Sequence, residues 1–124
     1  MLARLIAAFR GLAAGARAPV RQADPSEIHG WWRDGAATII DVREPDEHRA
    51  EAIEGALSLP LSSFDPARVP TPPANGHLVL HCQRGVRCGP AAARLVAAGW
   101  PGEIVRMRGG LLAWKHAGFP TRQG

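Results

Sequence analysis

The chain is predicted to fold as an α/β domain in which a mainly parallel β-sheet is flanked by helices on both faces. From residue 24 onward, short β-branched or leucine-rich runs alternate with helical stretches, the pattern of parallel strands joined by crossover helices. A length of 124 residues suits one hydrophobic core and is too small for two. Hydrophobic residues make up 46% and charged residues 21%, ordinary values for a globular domain that exclude disorder for most of the chain.

The first element after this boundary is a helix. Asp24 is placed to cap it, Pro25 fits its first turn and Glu27 is placed to complete a capping box, while Ile28, Trp31 and Trp32 supply the apolar face. Residues 38–42 are β-branched and short, the signature of a buried strand. A short helix over 45–49 and a small strand around 56–59 follow. Residues 61–76 are rich in proline, serine and asparagine and read as a loop around one helical turn at 65–69. Residues 77–81 form the central strand and 90–98 the next helix, with Gly99 as its stop signal. The last strand is read at 104–107 and the last helix at 111–117, ended by Gly118 and Pro120. No internal repeat is visible.

The first 22 residues differ in composition from the remaining 23–124. Arg4, Arg10 and Arg17 lie there without any acid, and Arg21 extends the basic arm. Outside that arm the chain has eleven basic and eleven acidic residues, so the formal charge of +4 does not describe a basic domain, and nucleic-acid binding is not expected. No uncharged stretch approaches the length of a membrane span. Leu2, Leu5, Ile6, Phe9 and Leu12 recur at helical spacing with Arg10 and Arg17 on the other side, the pattern of a basic amphipathic helix. Such a helix could contact an anionic membrane surface, dock on its own domain or act as a targeting segment. A cleaved export signal fits less well, because Arg10 interrupts its apolar stretch. The expected location is the cytoplasm, with peripheral membrane contact through this segment as a second arrangement.

The most informative stretch is 78–88. A short apolar strand ends in Cys82, a polar loop follows with Gly85 in it, and an alanine-rich helix comes next. In an open α/β sheet ligands bind beyond the carboxyl ends of the strands. A cysteine there, facing the N–H groups of a loop that curls into a helix N-terminus and flanked by Arg84 and Arg87, sits in a field that favours thiolate over thiol. The same donors suit an anionic substrate. Two cysteines six residues apart, with His81 adjacent, lack the ligand spacing of a zinc site, and no metal or other cofactor is expected. Cys88 is read as a small buried residue at the helix start. His81, next to the cysteine on the strand, should point to the opposite face and pack there.

These residues resemble those of the rhodanese-like sulfurtransferases. The resemblance runs from about Asp24 to Pro120. Asp41-Val42-Arg43-Glu44 is similar to the family's first motif and Ile53-Glu54-Gly55-Ala56 to its second. Cys82 to Arg87 matches its active-site loop, and Gly109-Gly110-Leu111-Leu112-Ala113-Trp114 with Gly118-Phe119-Pro120 looks like its closing signature. One departure is Glu51-Ala52, where the family commonly has Gly-His. The resemblance implies that Cys82 carries a persulfide and that the loop Gln83, Arg84, Gly85, Val86 and Arg87 binds a small anionic sulfur donor such as thiosulfate. Asp41 and Arg43 would support the loop, and the sulfur would go to cyanide in vitro or to a thiol or protein acceptor in the cell. Phosphatases sharing this fold have five residues between cysteine and arginine; here there are four, and Cys88 stands where their arginine would be. A persulfide carrier or interaction module would use the same fold without robust thiosulfate activity.

Overall fold

The computed structural model describes residues 19–124, so the amphipathic helix expected near the N-terminus lies outside the described residues. Seven strands and four helices follow one another: β1 (Val20–Ala23), α1 (Pro25–Arg33), β2 (Ala37–Asp41), α2 (Pro45–Ala50), β3 (Glu51–Ala52), β4 (Leu57–Ser58), β5 (His77–His81), α3 (Cys88–Ala97), β6 (Ile104–Met107), α4 (Gly110–His116) and β7 (Arg122–Gln123). Five strands form one sheet in the order β1-β6-β5-β2-β4, with every neighbouring pair parallel. β3 and β7 make a separate antiparallel pair. Two 3-10 turns, at Leu61–Ser63 and Pro66–Arg68, occupy the proline-rich connection before β5.

Alternation along the central strands divides the core in two. Ile40, Leu78, Leu80 and Ile104 face Ala91, Ala92 and Leu95 of α3. Ile39, Val79, Val105 and Met107 face Ile28 of α1 and Leu111 and Trp114 of α4. Both faces are covered, which is why these strands read as continuous apolar runs. Because the sheet is parallel, the strands end on one edge. Asp41 of β2 lies in register with His81 of β5, so Cys82 begins its loop beside the charged end of β2.

The helix starts differ from the sequence expectation in their capping. Asp24 makes no side-chain cap; its carboxylate pairs with Arg108, and Glu27 pairs with Arg21 instead of closing a capping box. The reciprocal bond occurs one helix later, where the Glu44 N–H donates to Glu47 Oε1 at 3.0 Å. β1 takes in residues 20–22, which the composition had grouped with the basic arm, because pairing with β6 rather than apolar content makes this edge strand. α3 begins two residues earlier than expected, at Cys88, while Gly99 follows its end at φ +85°, as its stop role requires.

Candidate active site

Cys82 follows β5 directly and turns its side chain to the α3 face, where it is 1% exposed. The Gly85 N–H donates to its Sγ at 3.1 Å. Gly85 adopts φ +93°, and a Cβ there would stand 3.1 Å from the Gly109 nitrogen, so the tight curl needs glycine. The start of α4 holds the loop from the other side. Leu111 N–H donates to the Cys82 carbonyl at 2.8 Å and Leu112 N–H to the Gln83 carbonyl at 3.1 Å. A Cβ on Gly110, at φ +66°, would lie 2.6 Å from the same two carbonyl oxygens. The Gly109-Gly110 pair thus lets the last helix cap the loop that carries the cysteine.

The two cysteines are both free thiols, and their surroundings drive them in opposite directions. A hydrogen bond from the Cys88 thiol, opposed by burial and reinforced by the N–H groups of Cys88, Arg84 and Gly85, lowers the Cys82 pKa to about 4. The neighbouring negative sulfur, together with burial, pushes the Cys88 thiol up. Cys88 therefore stays protonated, with the Gly85 carbonyl 3.3 Å from its sulfur. At neutral pH Cys82 is a thiolate and Cys88 is a donor to it.

The remaining residues singled out in the sequence divide by partner. Arg84 is exposed, and Val86 stands at the rim with 73% of its surface exposed. Arg87 is bound at both ends of its guanidinium by Glu47 of α2, at 2.7 and 3.1 Å. Arg43 is buried, closes on Asp41 through Nε at 3.0 Å and Nη2 at 2.8 Å, and reaches the Gln83 side chain with Nη1 at 3.3 Å. Asp41 also receives His48 Nδ1 at 2.8 Å. Burial alone would raise the Asp41 carboxyl, but the hydrogen bonds from Arg43 and His48 outweigh it and hold the group below its ordinary range. His81 lies on the opposite face, wholly buried, with Nδ1 3.0 Å from the Cys82 carbonyl; burial lowers its pKa and keeps it neutral. Among the described residues no three His, Cys, Asp or Glu side chains cluster to hold a metal ion, and no helix is long and apolar enough to cross a membrane.

The sequence pattern of the rhodanese-like domain matches residues 24–117, well over half of the chain. The chain belongs to the rhodanese-like family. It is 44% identical over 98 residues to an uncharacterized protein of Synechocystis, covering 78% of this chain and 53% of that one, so it spans about half the length of this relative. A protein of Allochromatium vinosum named sulfurtransferase is 34% identical over 82 residues, covering 66% of this chain and 75% of that one. A rhodanese-related protein of Thermoplasma volcanium has the same fold, with a TM-score of 0.69 at 24% identity, covering 82% of this chain and 97% of that chain.

The departure from the rhodanese-like pattern at Glu51-Ala52 has a structural counterpart. These residues form β3 and pair with β7, and the Glu51 carboxylate takes Lys115 Nζ at 2.8 Å and Thr121 Oγ1 at 2.6 Å. The Glu51 carbonyl also accepts from Arg43 at 2.6 Å, tying this strand to the support beneath the loop. Sequence reasoning passed over Glu47, His48 and Arg106. Glu47 had a signal, since it lies three residues after Glu44 at a helix start; Arg106, one arginine within a strand, had none.

Proposed function

We propose that this protein is a sulfurtransferase that carries a sulfane sulfur on Cys82 as a persulfide. The observation that carries this reading is the Cys82 sulfur itself, negative at neutral pH and held by the Gly85 N–H at 3.1 Å. A thiolate in a nest of N–H groups is a nucleophile whose charge needs no neighbouring base.

With thiosulfate as donor, the Cys82 thiolate attacks the outer sulfur. A bond forms between Sγ and that sulfur, the sulfur–sulfur bond of thiosulfate breaks, and its electron pair leaves with sulfite. The product is a cysteine persulfide anion. An acceptor such as cyanide then attacks the outer persulfide sulfur, departs as thiocyanate and restores the thiolate. In the cell the acceptor is a thiol or a protein. The backbone N–H groups suit both stages, because they stabilise negative charge on either sulfur.

Intact mass after thiosulfate treatment tests the reading. The expected result is a gain of one sulfur atom, about 32 Da, reversed by cyanide with release of thiocyanate, and absent in Cys82→Ser. Sulfur transfer surviving in that variant would overturn the assignment, as would hydrolysis of an aryl phosphate by a parent protein that gains no sulfur.

A further inference from the structure

Arg106 approaches the loop from beneath. It stands on β6 between Val105 and Met107, which face α1 and α4, so its own side chain takes the α3 face. Its Nη2 donates to the Gly85 carbonyl at 2.9 Å. The guanidinium lies against Gly89 in the first turn of α3, where a Cβ would come within 3.3 Å of Nη2. Its Nε is buried with no acceptor among the described residues. Arg43, Arg87 and Arg108 are each paired with a carboxylate; among the described residues Arg106 is not.

Gly85 is therefore gripped at both ends. Its N–H points at the Cys82 sulfur, and its carbonyl is held by Arg106. The guanidinium also lies against the Cys88 thiol at the helix start, where it opposes the rise that burial and Cys82 impose on that group. We propose that Arg106 is a positioning residue for sulfur transfer: it anchors the Gly85 carbonyl so that the loop amides stay turned on Cys82. This rests on the reading of Cys82 as the sulfur carrier.

The other ionisable groups around that sulfur are accounted for. Cys88 comes from α3 and stays protonated, and His81 lies behind on β5 and stays neutral. Asp41 and Arg43 at the end of β2 are paired, and Arg87 is paired with Glu47 while also facing the charge of Cys82. Arg84 of the loop is exposed. The residues of α4 that touch the loop, Gly110 to Leu112, are uncharged.

The test is a pH titration of thiolate ultraviolet absorbance, which is clean here because the chain contains no tyrosine. In Arg106→Gln the Cys82 midpoint rises by about one pH unit, the scale of one weakened N–H bond to the charged sulfur. The thiosulfate kcat falls about tenfold with KM little changed, since Arg106 acts through the loop and not on the donor. Arg106→Lys, which keeps the charge but not the fork, recovers part of both. A folded Arg106→Gln with the parent's midpoint overturns the proposal. Should the glutamine variant not fold, Arg106→Lys decides alone: a midpoint and kcat equal to the parent's overturn the proposal, and a rise in one with a fall in the other supports it. A parent protein that gains no sulfur from thiosulfate overturns the sulfurtransferase reading instead, while the absorbance midpoint still reports on Arg106.

Discussion

Two neighbouring strands end in a buried anion, and the fold treats the two anions differently. β2 ends in Asp41, whose carboxylate is closed by the side chains of Arg43 and His48. β5 leads into Cys82, whose charge is balanced by backbone N–H groups and the Cys88 thiol. Side-chain donors saturate a carboxylate and fix it as scaffold. Backbone donors set a potential at a place, so they hold the negative charge whether it sits on the cysteine sulfur or on a second sulfur beyond it. Asp41 thus provides rigidity, and in the proposed sulfur transfer Cys82 provides the chemistry, one strand apart.

The sharpest way to break this contrast is to remove the closed anion. Asp41→Ala leaves Arg43 buried and uncompensated, and is expected to cost about 3–5 kcal/mol, read as a large fall in Tm. A loss below about 1 kcal/mol would mean that the Asp41 pair behaves as a surface pair.

The next effect is a pH dependence with a definite sign. Cys82 is depressed to about 4, so between that value and the ordinary thiol range the unfolded chain binds a proton that the folded chain does not. Stability from this group is lost as pH falls through about 4 and grows as pH rises. The stability difference between the parent and Cys82→Ser should widen as pH rises through that window. Asp41 is also depressed, but its contribution is complete above about pH 4 and lost only at lower pH. Parallel stability curves for parent and Cys82→Ser would remove the distinction between the two anions.

The smallest effect concerns the rim. Glu47 and Arg87 are each about a third exposed, so their ion pair stabilises by less than about 1 kcal/mol. Glu47→Gln should leave Tm nearly unchanged and release the Arg87 guanidinium toward an anionic donor, lowering the thiosulfate KM about threefold. An unchanged or higher KM would assign Arg87 to the loop's structure and not to donor binding.

The sequence made the central architecture legible because β2, β5 and β6 are buried on both faces and carry short apolar runs that only such strands need. It was silent on β1, whose Val-Arg-Gln-Ala is an edge strand held by pairing with β6, and on β3 and β7, two residues each. In the site, the cysteine, the loop glycine and the flanking arginines could be read from their order between a strand and a helix. Arg87's bond to Glu47 and Arg106's bond to Gly85 could not, since each joins residues far apart in the chain through a geometry that only the folded sheet creates. The capping box shows the same limit at short range: Asp24 and Glu27 had the right spacing, but Arg108 and Arg21 took them.

The capping of the loop by α4 sets an order of assembly. Cys82 leaves the ribosome thirty residues ahead of Leu112, a lead on the order of a few seconds at ordinary rates of synthesis. Through that interval the carbonyls of Cys82 and Gln83 lack their donors from α4. A nascent or prematurely ended chain therefore carries the cysteine on a loop that α4 has not yet fastened to the sheet edge.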